Sequence, residues 1–134
     1  MTIAVAHNDS AEGRAALLHA AREAIFQHTS MAVLHILGRQ QTEGDPAIAA
    51  LRVEIEQALH SAGLEDLEWD LHTAPDESGK AAALVELTNE VGAVLLVVGS
   101  RRRTPIGKFL LGSTVQRVVL DSPVAVLVVK APLG

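Results

Sequence analysis

The sequence predicts an α/β fold in which helices cover a parallel β-sheet, and three observations lead to this prediction. Two apolar runs rich in β-branched residues, Val94–Val98 and Val124–Val129, are typical of strands buried on both faces. Segments with helical periodicity alternate with strand-like segments along the chain, as in parallel sheets with right-handed crossovers. Hydrophobic residues make up 49% of the composition but aromatic residues only 2%, so Val, Leu, Ile and Ala must build the core. The length suits a single domain over residues 1–134.

The N-terminal segment predicts a short strand followed by a helix. Ile3–Ala6 is apolar and forms the first strand. Asp9 and Glu12 have the three-residue spacing of a capping box, so the first helix begins there and ends near His28. Ser10 is interpreted as a capping residue rather than a nucleophile, because no base lies at a recognisable spacing from it.

The next segment predicts a second strand and the best-defined helix. Met31–Leu37 forms the strand, and the polar residues 38–45 form a loop. Asp45 is the predicted N-cap of the second helix, with Pro46 at its first position, and apolar residues then recur at steps of three and four. Gly63 ends this helix.

The second half of the chain continues the alternation. Residues 67–72 alternate strictly between apolar and polar, so the third strand is half-exposed and lies at an edge of the sheet. A turn at residues 74–79 precedes a third helix, which Gly92 closes. The fourth strand, Val94–Val98, is followed by a fourth helix that ends at residues 121–123, and the fifth strand completes the pattern.

The net charge and the absence of cysteine restrict the binding partners and the cellular location of the protein. The formal net charge is −5, so we expect the surface as a whole to repel nucleic acid and acidic membranes. The chain has no cysteine, which excludes disulfides and thiolate metal sites and is compatible with a reducing compartment. We find no signal peptide and no apolar run of membrane-spanning length, and we therefore expect a cytoplasmic protein.

The segment between the fourth strand and the fourth helix suggests a ligand. Gly99 ends the strand, and Gly112 and Ser113 follow thirteen positions later, where the hydroxyl of Ser113 is predicted to cap the helix. The free N–H groups and partial positive charge of a helix start suit an anion. Four cationic residues lie between the glycines: Arg101, Arg102, Arg103 and Lys108. The spacing fits neither a Walker A loop nor the G-x-G-x-x-G fingerprint, which leaves a different phosphate cradle or a solvated loop.

These residues resemble the signature of the universal stress protein family. That signature places Gly, two residues, Gly, nine residues, Gly and then Ser or Thr between a Val-rich strand and a helix. Gly99, Gly112 and Ser113 fit it, whereas Arg102 stands at the second glycine. The resemblance extends over essentially the whole chain and implies a Rossmann-like, open five-stranded parallel sheet in the order 3-2-1-4-5 with helices on both faces. A ligand would then lie at the carboxyl ends of strands one and four, where the winding reverses.

The resemblance also implies that the protein binds ATP, with or without Mg²⁺, as part of a stress response. The residues implied at the nucleotide are Asn8 in place of the family's Asp at the nucleoside, Ile36 at adenine, Val98 and Gly99 at the ribose and phosphates, Gly112, Ser113 and Thr114 at the phosphates, and Arg101 and Arg102 beside them. Arg102 leaves two alternatives open. Its guanidinium could bind phosphate, or the position could require a positive φ, which would cost about 1–2 kcal/mol in a residue other than glycine.

The last strand predicts an interface. Six consecutive apolar residues, Val124–Val129, with no helix after them, indicate an edge strand, and an apolar edge invites pairing with another chain. Universal stress proteins commonly pair with a second copy there, so the resemblance implies a homodimer with Ala125, Leu127 or their neighbours at the interface.

Three functions are compatible with these features. The first is a dimeric, adenine-nucleotide-binding module, without a constellation for strong catalysis and with slow ATP hydrolysis at most. The second is a dimeric interaction module that acts through an unidentified protein partner and binds no nucleotide, which Asn8 and Arg102 favour. The third is a phosphoacceptor receiver domain, although the acidic pair that its chemistry needs after strand one is missing. The six histidines lack metal-ligand spacing, and His7 is expected at the edge of the crevice.

Overall fold

A computed structural model describes residues 1–101 and 111–131. In this part of the chain, strands and helices alternate as predicted. The elements are β1 (Thr2–Ala6), α1 (Ala11–Phe26), β2 (Ser30–Leu37), α2 (Pro46–Ser61), β3 (Trp69–Pro75), α3 (Lys80–Glu90), β4 (Ala93–Ser100), α4 (Ser113–Asp121) and β5 (Ala125–Lys130). Within the described ranges, no helix combines the length and the apolar character that crossing a membrane requires.

The strands form one sheet in the order β3-β2-β1-β4-β5, and every neighbouring pair is parallel. This confirms the order that the family resemblance implies. A receiver domain has the order 2-1-3-4-5, so the observed topology excludes that alternative. Because β1 and β4 are neighbours while their following connections run to opposite sides, a crevice opens at their carboxyl ends.

Helices cover both faces of the sheet, as predicted, because successive side chains of a strand point to opposite faces. On one face, Val5 and Val97 are fully buried in a core that includes α1 and α2. On the other, Ala4, Leu96 and Val98 lie in a second core with side chains from α3 and α4. The continuous apolar character of the predicted fourth strand therefore reflects burial on both sides.

The helix starts correct the capping box predicted for Asp9 and confirm Ser10 and Asp45 as capping residues. Ser10, not Asp9, is the N-cap of α1, and its hydroxyl accepts a 3.0 Å hydrogen bond from the backbone N–H of Gly13. The Asp9 carboxylate lies outside the helix and contacts Arg14 instead. For α2 the prediction is confirmed, since the Asp45 carboxylate accepts a 2.9 Å hydrogen bond from the N–H of Ala47, next to Pro46.

Both edge strands are located as predicted, but the bounds of β3 differ. The alternating pattern predicts residues 67–72, whereas β3 spans Trp69–Pro75. The reason is pairing with β2, because Met31 lies opposite Trp69 and the ladder continues until Leu37 lies opposite Pro75. The partner strand, rather than the local hydrophobic pattern, sets where β3 begins and ends.

Candidate functional site

A cavity of about 370 Å³ opens at the carboxyl ends of β1, β2 and β4. Its lining includes five residues implied at the nucleotide by the family resemblance, namely Asn8, Ile36, Val98, Gly99 and Thr114. His7 lines it too, as expected for a residue at the edge of the crevice. Apolar side chains of Leu84 and Val118 contribute from α3 and α4, so the cavity combines an apolar wall with a polar rim. Such a lining suits a ligand with a flat apolar portion and a few polar groups.

A second cavity adjoins the first at the start of α4. Arg101, Gly112 and Ser113 line this second cavity, while Asn8, Gly99, Thr114 and Val115 line both. Every described residue of the implied set therefore lies on one of two adjoining cavities. Arg102, Arg103 and Lys108 lie outside the described residues.

The first turn of α1 packs closely against the end of β4, and this packing depends on two glycines. A Cβ atom at Gly13 would lie 2.8 Å from the carbonyl carbon of Asn8 and nearer still to its oxygen. A Cβ atom at Gly99 would lie 2.6 Å from the carbonyl carbon of Glu12. Only glycine permits such close backbone approach, so these positions hold Asn8 and the first turn of α1 directly against the end of β4.

The start of α4 corrects the predicted cap. Gly112 is the N-cap residue, Ser113 is already the first helical residue, and no described side chain caps this end. The side-chain amide of Gln116 instead donates to the carbonyl of Leu111. The first-turn residues of α4 line the second cavity, and no side chain in the described ranges accepts from their N–H groups, which makes these groups available to an anion.

Ser100 is a site residue that the sequence reasoning missed. Its side chain is 2% exposed and lines the second cavity, and its hydroxyl has no hydrogen-bond partner among the described residues. A buried hydroxyl without a partner costs stability, so such a group is rare unless a ligand or water completes it. Its position directly after Gly99 was the available signal.

Glu12 was also missed as a site residue, and it adds negative charge to the same cavity. Its side chain is 12% exposed, and one carboxylate oxygen lies 3.8 Å from Nε of Arg101. Because the Arg101 side chain is largely exposed and the separation is long, solvent weakens this ion pair. The second cavity thus holds a carboxylate that its arginine partner offsets only partly.

Two histidines meet at the rim of the first cavity. The Nδ1 atoms of His7 and His35 are 3.3 Å apart, and Nε2 of His35 lies 3.1 Å from Oε1 of Gln41. Burial lowers the pKa of His7, the neighbouring His35 lowers it further, and Asp9 opposes the shift. His7 is therefore held in its neutral form near neutral pH.

Known protein families include one that matches this chain. A model described as "Universal stress protein family" matches residues 1–130. The chain belongs to the universal stress protein family. A curated universal stress protein of Mycolicibacterium smegmatis is 34% identical over 137 residues, covering 96% of this chain and 96% of that protein.

Solved structures of universal stress proteins have the same fold. One from Archaeoglobus fulgidus superposes with a TM-score of 0.76 at 27% identity, covering 97% of this chain and 98% of that chain. A universal stress protein solved in complex with cAMP superposes with a TM-score of 0.74, also at 27% identity, covering 98% of each chain.

Proposed function

We propose that this universal stress protein binds an adenine nucleotide, ATP in particular, across the two adjoining cavities. The observation that carries the proposal is the buried hydroxyl of Ser100, which has no partner in the described part of the chain and lies beside the uncapped start of α4. Donors of this kind, left without acceptors next to a partly apolar cavity, match a ligand with a flat base and an anionic end. The related structure in complex with cAMP supports the same ligand class.

In this proposal the first cavity holds the nucleoside. Ile36 and Val98 belong to the apolar wall, against which a base can pack. Asn8 lies at the junction of the cavities, where its amide can donate or accept a hydrogen bond with the ribose. Because Asn8 has no charge, its hydrogen bond is weaker than one from a carboxylate in the same place.

The second cavity holds the phosphates. Ser100, the first-turn N–H groups of α4 and Arg101 supply donors, and Mg²⁺ would accompany the phosphates of ATP. The Glu12 carboxylate lies in the same cavity and repels the phosphates. We therefore expect affinity to reflect a balance between these donors and one fixed negative charge.

Calorimetric titration of ATP with Mg²⁺ into nucleotide-free protein tests the proposal. We expect saturable binding, which Ser100→Ala weakens about 10-fold or more, because a hydrogen bond to a charged group contributes about 1.5–3 kcal/mol. Ser100→Ala removes a hydroxyl without a described partner, so the variant should still fold. Ser61→Ala, at the exposed end of α2, is the matched control and should bind like the parent. Absence of heat at millimolar ATP would contradict the proposal and favour the nucleotide-independent interaction module.

Glu12→Gln separates the phosphate contribution from the nucleoside contribution. In titrations without Mg²⁺, removing the carboxylate should strengthen ATP binding and leave adenosine binding nearly unchanged, because only ATP brings negative charge into the second cavity. Equal effects on both ligands would show that the phosphates do not lie where we propose.

We further propose that the protein is a cytoplasmic homodimer that pairs through β5. In the described part of the chain β5 pairs with β4 alone, and Val126–Val129 are half-buried although they lie at an edge. Val119 and Leu120 of the preceding helix add exposed apolar surface. Pairing with a second copy would cover this edge.

Sedimentation analysis tests the dimer. Leu127→Pro should shift the protein towards monomer, because proline cannot donate a ladder hydrogen bond. Phe26→Ser is the control, since Phe26 is 81% exposed at the end of α1 and lies outside β5. A folded Leu127→Pro variant with unchanged mass, or a parent protein that is monomeric, would contradict this interface.

A further inference from the structure

The two histidines at the rim of the first cavity are brought together by strand register. Ala6 at the end of β1 lies opposite Leu34 of β2, so the residues that follow, His7 and His35, face each other. Their Nδ1 atoms are 3.3 Å apart, and the rings meet edge to face with an interplanar angle of 64°. The two imidazole nitrogens are thus close in space, although 28 residues separate them in the chain.

We infer that His7 and His35 form a binding site for a divalent transition-metal ion of the Zn²⁺ type. A tetrahedral zinc ion with Zn–N distances of 2.0–2.1 Å requires its two nitrogen ligands to be about 3.3–3.4 Å apart. The observed separation of 3.3 Å meets that requirement. It is also long for a direct hydrogen bond between the two rings, so the hydrogen bond that a metal would replace is weak.

The surroundings of His35 are those of a metal ligand. Oε1 of Gln41 accepts a hydrogen bond from the backbone N–H of Gly38 at 3.2 Å, which identifies that atom as the amide oxygen. Nε2 of His35, 3.1 Å from the same oxygen, must then be the protonated nitrogen, and Nδ1 keeps its lone pair for a metal. A histidine ligand typically donates its other N–H to such an oxygen, which fixes the ring orientation.

His7 meets the remaining requirements. As a ligand, His7 would bind the metal in its neutral form. Coordination through Nδ1 places its proton on Nε2, so binding needs a change of tautomer but no net loss of a proton. The adjoining cavity leaves room for water or an added ligand to complete the coordination.

The two histidine ligands also determine which metal ions bind and with what affinity. Among the described residues no group of three or more His, Cys, Asp or Glu side chains is arranged around a metal position. The site is therefore weaker than a structural zinc site with four protein ligands. Imidazole nitrogens favour Zn²⁺, Ni²⁺ and Cu²⁺, whereas Mg²⁺ prefers oxygen ligands. A bound ion would connect the loop after β1, which carries Asn8, to β2, where His35 also contacts Gln41 of the following loop.

Titration of Zn²⁺ into the full chain without nucleotide tests the site, with a chromophoric zinc indicator as competitor. We expect one ion per chain in the micromolar range and no response to Mg²⁺. Gln41→Ala should weaken binding about 10-fold through loss of orientation of His35, and His7→Gln or His35→Gln should weaken it more. His60→Gln, on the exposed surface of α2, is the matched control and should bind like the parent.

Two results would overturn the inference. One is the absence of saturable zinc binding at millimolar Zn²⁺. The other is binding that His7→Gln and His35→Gln leave unchanged while both variants keep the parent's circular dichroism spectrum. Since nucleotide is absent throughout, neither result bears on the proposed ATP site.

Discussion

Replacement of Gly99 by alanine should destabilise the protein through one steric contact. The added Cβ atom would lie 2.6 Å from the carbonyl carbon of Glu12, whereas ordinary van der Waals contact begins at 3.4 Å. The backbone of Gly99 is not in the left-handed region, so conformational strain is not the cause. The end of β4 and the first turn of α1 must therefore separate by about 0.8 Å or more.

The loss of unfolding free energy in Gly99→Ala depends on how far the surrounding atoms can move to relieve the contact. Both atoms in conflict are held by backbone, so a change of rotamer cannot relieve the contact, and the cost should lie near the upper end of the 1–3 kcal/mol typical of overpacking. We expect Gly99→Ala to lower the free energy of unfolding by about 2–3 kcal/mol and the melting temperature by on the order of 10 °C. Urea unfolding of both proteins at equilibrium measures the difference.

Gly38→Ala is the matched control for this experiment. A Cβ atom at Gly38 would have no described atom within 4 Å, so the same substitution should be neutral or stabilise by about 0.4–1 kcal/mol. The reasoning is refuted if Gly99→Ala changes the unfolding free energy by no more than Gly38→Ala does.

Three further predictions concern stability. Asp45→Ala removes the N-cap of α2 and should cost about 1 kcal/mol in urea unfolding, and an unchanged midpoint would show that its hydrogen bond to Ala47 contributes nothing. Ile55→Ala, at a side chain 2% exposed in the core under α2, should cost about 2–5 kcal/mol, and a loss below 1 kcal/mol would mean that the core collapses around the cavity. Folding lowers the pKa of His7. The contribution of neutral His7 to the free energy of unfolding is therefore present above the unfolded pKa of 6.5 and is lost as the pH falls through the folded pKa. His7→Gln should therefore reduce the loss of stability on acidification below about pH 6.5, and parallel pH profiles would exclude this.

Local sequence patterns were sufficient to predict the type and order of the elements. The second helix illustrates this, because Asp45, Pro46 and Gly63 act within one turn of the helix ends and each needs only its own neighbours. Gly63 has a φ of 73°, a conformation that glycine adopts without strain, and this ends α2 where predicted. Interactions between residues that are close in sequence can therefore be predicted from the local sequence.

Local patterns were insufficient where two similar residues competed for one role. Asp9 and Ser10 are both good caps, and the backbone of Ser10, extended at φ −155°, brought its hydroxyl rather than the Asp9 carboxylate to the N–H of Gly13. The same limit applies to Ser113, which lies inside α4 rather than before it. An error of one residue changes which group faces the second cavity.

The sequence by itself determined the α/β class and the edge character of β3 and β5, and it identified Gly99–Ser113 as a candidate ligand-binding segment. Hydrophobic periodicity, helix stop signals and motif spacing are local properties, so they can be read from the sequence. The strand order came from the family resemblance rather than from alternation. Only the tertiary structure decided that β1 lies between β2 and β4. That arrangement brings Asn8 to Gly99, His7 to His35 and the buried hydroxyl of Ser100 to the start of α4. Contacts between residues so far apart in the chain depend on strand register and helix packing, which no local pattern encodes.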